Sequence, residues 1–146
     1  MFLVGRSLGG AVATAAVSKL GQSELDKIDG LIIENTFTSI DDMADRMFSV
    51  LAYLKRFVLT NHWRTIDLVK EITIPILYIT GALDEIVHPD MTVHLHANTK
   101  KARVSRMWIN PEGSHNDSWS INKDGYLRST IGFMNEMTHD GQILRK

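Results

Sequence analysis

The sequence of 146 residues contains no cysteine. Disulfide bridges, thiolate metal sites and a cysteine nucleophile are therefore excluded. Apolar runs are also too short for a membrane-spanning helix, which needs about 18 residues; the longest candidate, residues 48–59, is interrupted by Lys55 and Arg56. Neither sign of charge is in excess, since the sequence has 16 Lys and Arg and 17 Asp and Glu. Because such a balance provides no basic surface, we expect no nucleic-acid partner.

Short apolar runs alternate with helix-length segments along the chain. The runs are Phe2–Val4, Leu31–Ile33, Ile74–Thr80 and Val104–Ile109. Continuous Ile, Val and Leu runs are typical of parallel strands that are buried on both faces. Helical patterns cover Leu8–Leu20, Ser39–Leu59, Pro89–Asn98 and Ile121–Met137. The sequence therefore predicts an α/β fold in which a parallel sheet of about four strands has flanking helices.

The domain boundaries follow from the same pattern. We predict one domain over residues 1–140, with a lid-like helical insertion at residues 36–68 and a tail at residues 141–146. The first residues lack a basic region ahead of an apolar stretch, so the sequence contains no recognisable targeting signal and assigns no location in the cell.

A Gly-Arg-Ser-Leu-Gly motif lies between the first predicted strand and the first predicted helix. A serine at such a sharp turn has a strained backbone. The positions two residues before and after it, Gly5 and Gly9, are expected to require a very small residue, because a larger one would collide with the turn. The turn would expose the Ser7 hydroxyl as a nucleophile and place the Leu8 amide where it can stabilise an oxyanion. An ordinary glycine-rich turn with an idle serine is the alternative, but the position between strand and helix favours the nucleophile.

A serine nucleophile needs a base, and the base needs an orienting acid. His115 lies in a polar loop after the fourth strand, and Asp84 lies directly after the third. Because parallel strands end at one edge of the sheet, we expect Ser7, Asp84 and His115 to converge there. Their order along the chain is one of the known orders of a catalytic triad. Glu34, at the end of the second strand, is the alternative acid.

These motifs resemble the α/β-hydrolase superfamily. The segments that carry the resemblance are Gly5–Ala13, Glu34–Phe37, Gly81–Asp84 and Gly113–Asp117. Within the superfamily, the chain is most similar to the membrane-anchored α/β-hydrolase domain-containing proteins, the thirteenth-member-like serine hydrolases. The resemblance implies Ser7 as nucleophile, Asp84 as acid and His115 as base. It also implies ester or acyl-thioester substrates, acyl-proteins and lipids among them, and no metal or organic cofactor.

In that family a large part of the domain precedes the serine turn, including a second oxyanion donor and an N-terminal membrane anchor. The resemblance therefore implies that this chain corresponds to the C-terminal half of the fold. We expect an open edge on the first strand, which favours self-association. Catalysis should be impaired, since loss of one oxyanion donor costs about a hundred- to thousandfold. A non-catalytic hydrolase remnant, or a partner-binding fragment, is the alternative.

Four apolar residues are candidates for an acyl-chain pocket, namely Phe37, Met43, Met47 and Trp119. The first three belong to the helical insertion, and Trp119 follows the base. Their alternative role is structural: they would pack the insertion and the last helix onto the sheet.

Overall fold

The computed structural model describes residues 1–46 and 64–144. Its four strands form one parallel sheet in the order β1-β2-β3-β4. The strands are β1 (Phe2–Arg6), β2 (Gly30–Glu34), β3 (Ile76–Gly81) and β4 (Ser105–Asn110). The predicted α/β class, with parallel strands and flanking helices, is confirmed.

The described helices are α1 (Leu8–Val17), α2 (Gln22–Leu25), α3 (Ile40–Arg46), α4 (Thr65–Leu68), α5 (Pro89–Asn98), α6 (Ser118–Ile121) and α7 (Lys123–Leu144). Helix α3 lies in the predicted insertion, of which residues 47–63 are outside the described residues. The predicted last helix is divided at Asn122, whose backbone is not helical and whose side chain accepts the Gly125 N–H at 3.0 Å. Helix α7 then continues to Leu144, so the predicted tail begins within it.

The sheet is covered on both faces, as its continuous apolar strands require. Leu31 and Ile33 of β2 belong to a buried cluster that also contains Val17, Val69 and Leu95, from α1, the end of α4 and α5. The alternate residue Ile32 packs on the opposite face in a cluster with Phe133 and Met137 of α7. This alternation follows from the two-residue period of a strand.

The two interior strands, β2 and β3, are buried along their whole length. The two edge strands are partly exposed, and Val4 of β1 is 61% exposed. Within residues 1–46 and 64–144, the helices are too short or too polar to span a bilayer.

Candidate active site

The sequence-predicted site residues follow the carboxyl ends of the strands. The register pairs Arg6 with Glu34, Glu34 with Ile79 and Gly81 with Asn110, so the four strands end at one edge of the sheet. The chain emerges there into the Ser7 turn after β1, the Asp84 loop after β3 and the His115 loop after β4.

Ser7 has a strained backbone, with φ of 53° and ψ of −124°. A positive φ is unusual for a serine and is characteristic of a nucleophile turn. The turn is held by the Ser7 N–H, which donates to the Glu34 carbonyl at 2.8 Å, and by the Gly10 N–H, which donates to the Ser7 carbonyl at 3.0 Å. The Ser7 side chain does not cap α1, which leaves its hydroxyl available for other chemistry.

The small residues around Ser7 are required at particular positions. A Cβ on Gly5 would collide with the Gly9 carbonyl, and a Cβ on Gly10 would collide with the Thr36 hydroxyl. A Cβ on Gly9 would meet no heavy atom of the described residues within 4 Å. The close approach at Gly5 is thus made against the backbone of Gly9, and Gly10 also needs to be small because it faces Thr36, which follows β2.

Leu8 is the first residue of α1. The first amides of a helix have no acceptor within the helix, and the helix dipole favours negative charge beside them. Among the described residues, the Leu8 N–H has no hydrogen-bond partner. The Leu8 amide is thus a free donor at the start of α1, and its oxyanion role stays a prediction.

Asp84 and His115 form a buried pair. Their side chains are joined by a contact of 2.8 Å between His115 Nδ1 and Asp84 Oδ2; Asp84 is 3% exposed and His115 is 9% exposed. The second oxygen of Asp84, Oδ1, accepts the backbone N–H groups of Ile86 at 2.9 Å and Val87 at 2.8 Å. The loop amides thus fix the carboxylate, which in turn orients the imidazole and leaves its Nε2 for a further partner.

Glu34, the alternative acid, has a different partner. It is buried, and its Oε2 accepts the Tyr126 hydroxyl at 3.0 Å. Burial raises the pKa of Glu34, although the Tyr126 hydrogen bond acts in the opposite direction. Burial and the neighbouring Glu34 also raise the pKa of Tyr126 to about 12. The geometry therefore brings Asp84, and not Glu34, into hydrogen-bonding contact with His115.

Asn35 is a site residue that sequence reasoning did not single out. It is fully buried with φ of 47°, and its Nδ2 donates to the His115 carbonyl at 2.9 Å. Its Oδ1 accepts the Gly81 N–H at 3.0 Å. An asparagine directly after a strand, where left-handed backbone is tolerated, was the one signal available in the sequence.

The candidate pocket residues have different environments. Phe37 and Met43 are buried in a cluster with Ala11, Val87 and Met91, so they pack α1, α3 and α5 together, and their role in a pocket stays a prediction. Trp119 is 57% exposed, and its indole N–H donates to the Asn116 carbonyl at 3.1 Å. Met47 lies outside the described residues. Within the described part of the chain, no cluster of three or more His, Asp or Glu side chains is arranged to hold a metal ion.

A parallel sheet covered by helices on both faces, with a strained serine turn, an aspartate loop and a histidine loop at one edge, defines an α/β-hydrolase fold. By sequence as well as by fold, the chain is similar to proteins of the α/β-hydrolase superfamily. It is 34% identical over 142 residues to the α/β-hydrolase domain-containing protein WAV2 of Arabidopsis thaliana, covering 89% of this chain and 45% of WAV2. It is 35% identical over 133 residues to protein bem46 of Schizosaccharomyces pombe, covering 90% of this chain and 42% of bem46.

Solved structures agree with the fold. An esterase of Pyrococcus furiosus, Pf2001, superposes with a TM-score of 0.72 at 17% identity, covering 94% of this chain and 53% of the esterase. No protein-family model matches the chain. The chain spans less than half the length of the curated relatives named above. The similarity supports hydrolase chemistry at the level of the family.

Proposed function

We propose that the chain carries the Ser-His-Asp machinery of a serine hydrolase that acts on ester or thioester substrates. The observation that carries the proposal is the buried 2.8 Å contact between His115 and Asp84, on the sheet edge where the strained Ser7 turn also lies. Acyl-proteins and lipids are included in this substrate class. The esterase name of a structural neighbour supports the chemistry and does not choose among these substrates.

The proposed reaction proceeds in two steps. The Ser7 oxygen attacks the substrate carbonyl while His115 Nε2 takes the hydroxyl proton, and Asp84 stabilises the imidazolium that forms. The Leu8 N–H donates to the oxyanion. The leaving alcohol or thiol takes the proton from His115 and leaves an acyl ester on Ser7. Water then attacks this ester, again with His115 as base, and releases the acid and the free serine.

A fluorophosphonate probe with intact-mass detection tests the nucleophile. We expect one adduct, at Ser7, because a serine activated by a base is the group that reacts with such probes. Ser7→Ala should abolish the adduct, and Ser120→Ala, which changes an exposed serine of α6, should retain it. An adduct that survives Ser7→Ala, or no adduct on the unaltered chain after prolonged incubation, would contradict the proposal.

A second candidate is a non-catalytic fragment that binds a partner through β1. The open flank of this strand favours it, because Val4, Leu8 and Val12 are exposed apolar residues of β1 and α1. Size-exclusion chromatography with circular dichroism separates the candidates. A cooperatively unfolding monomer that forms the Ser7 adduct supports the hydrolase, and an associating chain without the adduct supports the fragment.

A further inference from the structure

We propose that Asn35 is the positioning residue of the catalytic base. Its side-chain amide holds the loop that carries His115 against the ends of β2 and β3, and in this way keeps the imidazole aligned with Asp84. The inference rests on the proposed function, since it assigns a role within that site.

The side-chain amide of Asn35 is fully used. Its Nδ2 donates to the carbonyls of His115 at 2.9 Å and Ser114 at 3.4 Å. Its Oδ1 accepts the N–H of Gly81, the last residue of β3, at 3.0 Å. A buried amide whose donors and acceptor are all satisfied is strongly constrained in orientation. One side chain thus joins β2, β3 and the histidine loop.

The backbone at Asn35 directs this side chain. Its φ of 47° lies in the left-handed region, which asparagine tolerates better than most residues. The Asn35 N–H donates to the Ile79 carbonyl of β3 at 2.9 Å, so the turn itself is anchored on the sheet. A residue with an amide and a tolerance for positive φ meets both requirements, and asparagine alone among the twenty combines them well.

The histidine loop also depends on close packing at Gly81. A Cβ on Gly81 would collide with the Gly113 carbonyl and approach the Ser114 carbonyl at 2.8 Å. The Leu83 N–H donates to the Gly113 carbonyl at 2.9 Å. The loop therefore lies directly on the end of β3, where the Asn35 amide reaches its carbonyls.

The two members of the acid-base pair are held in different ways. Asp84 is fixed by N–H groups of its own loop, at Ile86 and Val87, and does not depend on Asn35. Among the described residues, the one side chain that bonds to the His115 carbonyl is Asn35. Loss of the Asn35 donors should therefore displace the imidazole from an Asp84 carboxylate that stays in place.

Two variants of Asn35 separate the contacts. Asn35→Asp keeps the size, the tolerance for positive φ and an oxygen acceptor for Gly81, but it replaces the donors that face the loop carbonyls with a second oxygen. Asn35→Gly removes the side chain without introducing backbone strain. Asn98→Asp is the matched control, because Asn98 Nδ2 donates to the His94 carbonyl at 2.9 Å in an exposed hydrogen bond at the end of α5.

The first readout is the NMR spectrum of the full chain labelled with 15N-histidine, which requires no turnover. A histidine Nδ1 proton shared with a carboxylate resonates far downfield, and we expect one such signal from His115. Asp84→Ala should abolish it. Asn35→Asp and Asn35→Gly should broaden or abolish it while the remaining amide spectrum is kept, and Asn98→Asp should leave it unchanged.

The second readout is fluorophosphonate labelling of Ser7. Because misplacement of a catalytic group by about 1 Å costs about a hundredfold, the Asn35 variants should lower the maximal labelling rate by about this factor. The probe concentration that gives half the maximal rate should change much less. Such a split indicates a misaligned base, and a general loss of folded protein would not produce it.

The outcomes separate this inference from the proposed function. A downfield signal that is missing from the unaltered chain, or that survives Asp84→Ala, overturns the acid-base pair and this inference with it. A signal that is lost in Asp84→Ala but retained in both Asn35 variants overturns only the role of Asn35. If neither Asn35 variant folds while Asn98→Asp does, Asn35 is required for the fold and the positioning role is overturned.

Discussion

The two halves of the candidate site differ in how completely the described chain builds them. On the acid-base side, Asp84 and His115 are buried and hydrogen-bonded to each other. On the nucleophile side, the Ser7 turn has its strained backbone, but Val4 and Leu8 beside it are 61% and 42% exposed. Among the described residues, the acid-base side is therefore more closely packed than the nucleophile side.

The position of the strands alone does not explain this difference, because β1 and β4 are both edge strands. The loop after β4 folds back over the interior of the sheet, where Asn35 and Gly81 hold it. The chain after β1 enters α1 instead, and Gly9 faces no neighbour among the described residues. Among the described residues, the contacts of the loop after β4 account for the closer packing of the acid-base side.

The acid-base side should respond most strongly to loss of its carboxylate. Asp84→Ala removes the group that orients the imidazole, so we expect labelling of Ser7 to fall by about a thousandfold or more. Glu34→Gln should have a far smaller effect, since Glu34 bonds to Tyr126. The measurement is the rate of fluorophosphonate labelling. A large loss of labelling rate in Glu34→Gln, with little loss in Asp84→Ala, would show that Glu34 and not Asp84 is the acid that orients His115.

Substitutions of the glycines around Ser7 compare a crowded position, Gly5, with an uncrowded one, Gly9. Gly5→Ala forces a Cβ against the Gly9 carbonyl and should lower the free energy of unfolding by about 3 kcal/mol. Gly9→Ala places its methyl group in open space within a helix, and should raise that free energy by about 0.5–1 kcal/mol. Urea denaturation of both variants measures the difference. Equal destabilisation by the two substitutions would contradict the asymmetry.

Much of the fold could be predicted from the sequence because its determinants are local. Continuous apolar runs predicted the buried strands, and Pro89 predicted the start of α5, which spans Pro89–Asn98 as expected. The pairing of Asp84 with His115 could also be predicted, because both residues follow parallel strands whose ends share one edge. The sequence analysis missed the division of the last helix at Asn122, although an asparagine that accepts an N–H three residues further on is a local signal for a helix start.

Other parts of the site depend on contacts between distant segments. Asn35 is separated from His115 by 80 residues, and Glu34 from Tyr126 by 92 residues. No spacing rule connects such pairs before the sheet is assembled. A small residue was expected at Gly10 because it begins the helix after Ser7, but the contact that requires it, with Thr36 after β2, could not be identified from the sequence.

The buried carboxyl of Glu34 makes stability depend on pH. Because burial raises its folded-state pKa above 4.5, the folded state binds the proton more tightly than the unfolded state does. Its contribution is therefore present at low pH and is lost as the pH rises from about 4.5 through the folded-state pKa. Each tenfold difference in proton affinity corresponds to about 1.4 kcal/mol. Glu34→Gln should gain stability relative to the unaltered chain over this range.

Asp42→Asn provides a comparison of opposite sign. The Thr38 hydroxyl, at 2.5 Å, lowers the pKa of Asp42 below 3.8. Its contribution to stability is present above that pH and is lost as the pH falls through the folded-state pKa. Urea denaturation between about pH 3 and pH 8 gives both profiles. If the free energy of unfolding depends on pH in the same way in Glu34→Gln and in the unaltered chain, the pKa of Glu34 is not raised.

The open flank of β1 should affect association more than stability. Lysine on an edge strand opposes pairing with another chain, so Val4→Lys should reduce any concentration-dependent self-association while it changes the free energy of unfolding by less than about 0.5 kcal/mol. Ile131→Lys is the matched control, because Ile131 is an apolar residue that is 49% exposed on α7 and not on β1. Sedimentation velocity over a range of concentrations measures the effect. If Ile131→Lys reduces self-association and Val4→Lys does not, the outer face of α7 mediates the association. The exposed surface beside Ser7 then does not take part in it.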